Sequence, residues 1–199
     1  MTTTARPPTS RQLAKEQTRQ RLLDAALEIL DTDGEAGLTT TRVAGLAGVK
    51  QPTFYVHFAD MDQLLVELVR QLWARRRDIT REAGDTVRHQ FRATVEALVA
   101  HPAVLRLVVR SRLDLASPVG EYVRAETAVT LRNLTTALAA GGLPSGTPAE
   151  RRRLHMQAEG LVALIETLAL GHMEGRYDDI EEVLDVLVQF SQTLTPTPT

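Results

Sequence analysis

The chain has 199 residues, 43% of them hydrophobic, enough for one large or two small globular domains with a true core. It has no cysteine, which excludes disulfides and cysteine-based zinc sites, and no apolar run near the roughly 18 residues a membrane helix needs. A net charge of −2 argues against coating a polyanion by bulk charge, and leaves the placement of the cations as the informative quantity.

Residues 1–58 carry seven Lys and Arg against six acids, and the rest carries sixteen Arg against nineteen acids. The opening MTTTARPPTS lacks the apolar stretch of a secretory signal, so a cytoplasmic location is expected, with residues 1–12 a disordered arm. A first helix is expected from Leu13 to Asp31. Leu22, Leu23, Ala26, Leu27, Ile29 and Leu30 form its apolar stripe, and Asp33-Gly34 stops it.

Residues 39–58, TTTRVAGLAGVKQPTFYVHF, contain no Asp or Glu. Thr39 suits the cap of a short helix, since its hydroxyl can accept an orphan backbone N–H. Val43, Ala44 and Ala47 share a buried face, and Gly48 ends the helix where a left-handed backbone is needed. Val49 plugs the corner. Pro52 opens a second short helix, where its missing N–H does no harm. Phe54 and Phe58 point inward at i,i+4, leaving Thr53, Tyr55 and His57 to point elsewhere. Two short helices around a glycine turn make a helix-turn-helix, whose second helix reads a DNA major groove. The acid-free tip, with its hydroxyls, a cation and an aromatic OH, is what phosphates require. Arg6 and Arg11 either reach toward DNA from the arm or belong to a solvated tail.

Asp60 caps a long helix expected over 61–81, with Leu64, Leu65, Leu68, Val69, Leu72 and Trp73 on its stripe. Its basic end, Arg75, Arg76, Arg77 and Arg81, suits the helix dipole or DNA. Gly84 breaks the chain. Further helices are expected over 85–100, 103–113, 117–140, 148–170 and 178–193, the sixth opened by Pro102 and the eighth by the capping box Thr147-Pro-Ala-Glu150. Gly171 and Gly175 end the eighth. No strand pattern occurs. The fold class is therefore all-α, about nine helices.

TRQRLLDAALEILDTDG, TTRVAGLAGV and PTFYVHFADMDQLL resemble, without a gap over roughly residues 18–65, the DNA-binding domain of TetR-type transcriptional regulators. The resemblance implies a helix-turn-helix domain at 13–59, a ligand-binding and dimerisation domain at 60–193, and a tail at 194–199. It implies a homodimer through the last two helices, bound to double-stranded operator DNA, with an apolar small-molecule effector, no cofactor and no membrane. Residue by residue, Thr39 would also touch a phosphate, Thr53 would face the groove, and Tyr55 and His57 would contact the backbone. Met61 stands where the family usually has a phosphate-binding lysine, and Lys50, Gln51 and Pro52 also depart from it. Base readout would then rest on Lys50, Gln51 and Thr53, with Thr41 and Arg42 from the preceding helix; Lys pairs with guanine and Gln with adenine. A looser likeness, in PTFYVHFADMDQL, HPAVLRLVVRSR and SPVGEYVRAE, is to repressors of unsaturated fatty-acid synthesis that sense long-chain acyl-CoA.

For the effector, Trp73, Phe91, Leu105, Val109, Tyr122 and Leu161 are candidate pocket residues, and Arg112, near Arg106 and Arg110, a candidate partner for acyl-CoA phosphates. The plainer reading, ordinary core for the apolar residues and a solvated basic face for the arginines, is preferred for each taken singly. His101, His155 and His172 lack metal-ligand spacing. No nucleophile–base pair or phosphate loop appears, so an enzyme is not expected. The alternative is a helical interaction module that has lost specific DNA binding.

Overall fold

The computed structural model describes residues 9–82 and 86–194. Arg6 and most of the arm, Gly84, Asp85, the side chain of Arg81 and the tail from 195 lie outside the described residues. Nine α-helices occur among those described: α1 Ser10–Asp33, α2 Thr40–Leu46, α3 Gln51–His57, α4 Met61–Glu82, α5 Val87–Val99, α6 Pro102–Ser111, α7 Pro118–Ala140, α8 Pro148–Met173 and α9 Ile180–Leu194. A single 3-10 turn, Glu35–Gly37, separates α1 from α2, and no strand occurs among the described residues. The chain divides into two compact units, Met1–Leu68 and Val69–Thr199.

In the first unit α1 starts three residues before the expected Leu13. The reason is a capping box: Gln12 N donates to the Thr9 hydroxyl at 3.3 Å, and Thr9 N donates to Gln12 Oε1 at 2.7 Å. Leu22, Leu23 and Ala26 are fully buried against α2, which packs in turn on α3. Thr39 caps α2 as expected, accepting from Arg42 N at 3.2 Å. Gly48 has φ +69°, and Val49 N donates to Ala44 O at 2.9 Å, which closes the turn. Phe54 and Phe58 are buried side by side, ring centroids 5.8 Å apart. Burying each contributes about 1.5–3 kcal/mol. α4 opens on a reciprocal pair: Gln63 N donates to Asp60 Oδ1 at 2.8 Å, and Ala59 N to Gln63 Oε1 at 2.6 Å.

In the second unit α5, α8 and α9 enclose a core built on Phe91, Val95, Leu161, Leu184 and Leu187. α6 packs on α5, α7 and α8, and α7 packs along α8. Thr147 and Glu150 form the expected box at the start of α8. The far end of α8 differs from expectation: the helix runs through Gly171 to Met173. A Cβ at Gly171 would lie 2.3 Å from the Tyr177 ring, so this glycine admits a close packing partner instead of stopping the helix. The reversal falls to Gly175, at φ +70°. α6 ends at Ser111, two residues early, and α9 runs from Ile180 to Leu194, its start fixed by Glu181 N donating to Asp179 Oδ1 at 2.8 Å.

Candidate nucleic-acid interface and effector cavity

The inner face of α3 is anchored by its two phenylalanines. The Arg19 guanidinium lies 4.7 Å from the Phe58 ring centroid and also pairs with Glu67 at 3.1 Å. With that face fixed, the helical repeat turns Gln51 and Tyr55 outward together with Lys50. All three are exposed, as is Thr41 on α2, while Thr53 and His57 are half-buried. Tyr55 is 53% exposed and Val56 67%, so the tip is an open surface of mixed apolar and polar groups.

Thr40 joins the two short helices. Its hydroxyl accepts from Gln51 Nε2 at 2.9 Å and lies 3.4 Å from the Tyr55 hydroxyl. No sequence signal singles it out among three successive threonines. The geometry alone does, because residues 11 and 15 positions apart meet only across the corner.

Arg42, expected beside Thr41 as a base reader, is folded back. Its guanidinium donates to Gly37 O at 3.1 Å and pairs with Asp33. Both partners are about half exposed, so the pair is worth no more than roughly 1 kcal/mol. Exchanging it for a phosphate therefore costs little.

His57 Nδ1 is buried without a hydrogen-bond partner. Burial pushes the His57 imidazole below its ordinary pKa, and the Lys15 and Arg19 charges push in the same direction, against Glu16. At neutral pH the ring is neutral, with no charge of its own.

The second unit holds a cavity of about 420 Å³ between α4, α5, α7 and α8. Two of the expected pocket residues, Phe91 and Leu161, line it. Trp73, Leu105, Val109, Tyr122 and Arg112 do not. Trp73 and Leu105 are buried in packing, and Val109 lies against the core. Tyr122 and Arg112 stand one step behind the wall: the Tyr122 hydroxyl donates to Glu126 at 3.0 Å, and Arg112 pairs with Glu166. Glu126 and Glu166 both line the cavity, with Arg76, Arg77 and Thr130, none of which the sequence pattern marks. Charged residues at helical spacing read as a solvent face, and only packing reveals that these turn inward. Arg106 and Arg110 are exposed. Among the described residues no group of three His, Cys, Asp or Glu is placed to hold a metal, and no helix is long and apolar enough to cross a membrane.

Residues 22–68 match the family model for bacterial regulatory proteins of the tetR family. The whole fold resembles that of a TetR-family transcriptional regulator from Rhodococcus sp., with a TM-score of 0.70 at 19% identity over 91% of this chain and 100% of that one. A protein of unknown function from Rhodococcus sp. RHA1 is 27% identical, with a TM-score of 0.68 over 90% of this chain and 96% of that one. A TetR-family regulator from Streptomyces coelicolor is 22% identical, with a TM-score of 0.66 over 90% and 94% of the two chains. The helix-turn-helix is thus matched by sequence to the tetR family of bacterial regulatory proteins over residues 22–68, and the chain as a whole shares the fold of solved TetR-family regulators.

Proposed function

We propose that the protein is a ligand-responsive repressor that binds a partly palindromic operator as a homodimer. The observation that carries this reading is the exposed, acid-free tip of α2 and α3, held in place by buried Phe54 and Phe58. Lys50, Gln51 and Thr53 read bases, Thr41 and Arg42 assist from α2, and Thr39, Tyr55 and His57 hold phosphates. The arm and helix-turn-helix domain, to residue 59, bind DNA; residues 60–193 bind effector and partner.

Dimerisation uses α8 and α9. Support comes from apolar side chains left outward on these helices: Met156 is 64% exposed and Val186 43%, with Phe190 only partly buried nearby in sequence. Two-fold symmetry would set recognition helices about 34–36 Å apart, one turn of the duplex. The effector is an apolar small molecule in the second-unit cavity, with long-chain acyl-CoA the first class to try. Coupling of about 1–3 kcal/mol between ligand and DNA suffices for regulation.

The test is selection of the purified full chain against randomised duplex DNA, sequenced with and without palmitoyl-CoA and oleoyl-CoA. A palindromic motif weakened by ligand is the expected result. A motif indifferent to both ligands removes acyl-CoA as effector. No motif even at low salt favours an interaction module and contradicts the reading.

A further inference from the structure

We infer that the mouth of the second-unit cavity recognises a neutral secondary amide through the carboxamides of Gln90 and Asn133. The amide belongs to the polar arm of an effector whose apolar chain lies on the cavity floor. This rests on the effector reading above and names the group beside the ligand's chain.

Burial grades the cavity by depth. Phe91 and Leu98 on α5 and Leu161 on α8 are buried and form an apolar floor. Leu134, Val162 and Ile165 are half-buried. Gln90 on α5, Arg77 on α4, and Val129, Asn133 and Ala137 on α7 are exposed, so these residues border the opening. The three on α7 are spaced by four residues, which puts them along one edge of that helix.

The hydrogen bonds divide the polar lining into two groups. Arg77 Nη1 donates to Glu126 at 2.9 Å, and the Tyr122 hydroxyl donates to the same carboxylate at 3.0 Å. Arg112 pairs with Glu166. Arg76 Nη2 donates to the Thr130 hydroxyl at 2.7 Å, which in turn donates to Glu126 O at 3.1 Å. The Thr94 hydroxyl donates to Gln90 O at 2.8 Å. The charged and hydroxyl side chains of the lining are thus committed to protein partners. Among the described residues, the carboxamides of Gln90 and Asn133 are the polar lining groups with no protein hydrogen bond.

Each carboxamide offers N–H donors and a carbonyl acceptor, and neither carries charge. Their complement is an uncharged group that both donates and accepts. A trans secondary amide points its N–H and its C=O to opposite sides, so one amide lying between α5 and α7 can serve both side chains. A hydroxyl has both functions on a single atom, and an ether cannot donate at all. An acyl-CoA carries such an amide a short step from its thioester, with its phosphates further out, so the inference specifies that class and does not exclude it. At about 420 Å³ the cavity has the size of an ordinary small-molecule site, and its floor takes the apolar chain.

Calorimetric titration of the full chain with the N-acetylcysteamine thioester and the ethoxyethyl thioester of octanoic acid tests this. The second has the same length and lacks the amide. The amide ligand is expected to bind about ten-fold tighter, as two neutral hydrogen bonds allow. Gln90→Leu combined with Asn133→Leu should abolish that ratio and weaken octanoyl-CoA by about the same factor. Both positions are exposed, so neither substitution opens a gap in the core. Equal affinity for the two thioesters overturns the proposal, as does a preference that survives the double substitution or a failure of both to bind. DNA selection run alongside with octanoyl-CoA separates the two readings. An amide preference that depends on Gln90 and Asn133, with a motif unchanged by ligand, supports the amide site and removes the regulatory role. A motif weakened by octanoyl-CoA, with no amide preference, keeps the ligand-responsive regulator and overturns the amide site alone.

Discussion

The Gln51 side-chain amide donates to the Thr40 hydroxyl at 2.9 Å, tying the first residue of α3 to the first residue of α2. Gln51 is exposed, and a free glutamine there would lose rotamer entropy on meeting a base. With one N–H given to Thr40, its amide oxygen and second N–H remain, the pair that would match adenine under the proposed docking. Thr40→Val preserves shape and removes the acceptor. Its expected effect is a relaxed base preference at the position Gln51 reads, with overall affinity reduced less than ten-fold, about 1 kcal/mol for one hydrogen bond. Selection from randomised DNA, compared between the two proteins, reads this directly. An unchanged motif would mean Thr40 does not position Gln51.

Phe54 sits in the core of the first unit and has no exposed surface. Phe54→Ala should destabilise the first unit by about 3–5 kcal/mol, the usual cost of a large core truncation. Urea unfolding followed by circular dichroism measures it. A loss below about 1 kcal/mol would mean that α3 is anchored elsewhere.

His57 gives a pH dependence of fixed sign. Its folded-state pKa is lowered, by burial first and by Lys15 and Arg19 next, so the unfolded chain takes up a proton before the folded one does. Stability is then lost as pH falls below the unfolded value of about 6.5, and this contribution is flat above it. The difference in urea midpoint between the unaltered chain and His57→Gln should therefore change below about pH 6.5 and be constant at higher pH. A difference that stays constant through the acid range contradicts the burial of the ring.

Gly171 offers a packing test. An added methyl meets the Tyr177 ring at 2.3 Å, and His172 Nδ1 is hydrogen-bonded to Tyr177 O at 2.7 Å, so the loop has little freedom to yield. Gly171→Ala should cost about 1–3 kcal/mol. Pairing it with Tyr177→Ala should recover part of the loss in a double-mutant cycle.

The helices themselves were legible because periodicity, caps and breakers agree with one another over most of the chain. Residues 39–58 carried their geometry in the sequence: a capping threonine, a glycine at positive φ and two inward phenylalanines. The start of α1 was also written there, in Thr9 and Gln12, but inside a segment whose composition suggests disorder. Gly171 was read as a stop because sequence cannot distinguish a glycine that ends a helix from one that admits a neighbouring ring. The cavity was least legible. Its apolar wall residues resemble any core residues, and Arg76, Glu126 and Glu166 resemble any charged face until packing turns them inward. Arg42 was identified by type, but its hold on Asp33 depends on the approach of two helices.

The central claim is that the exposed end of α3 reads DNA. The measurement that tests it most directly is the selected motif and its affinity for four variants of the full chain, Lys50→Ala, Gln51→Ala, Tyr55→Phe and His57→Ala. The expected result is a palindromic motif that changes at symmetric positions for the first two variants. For the last two the motif should persist with uniformly weaker binding. A motif and affinity indifferent to all four substitutions would contradict the docking of α3 in the major groove.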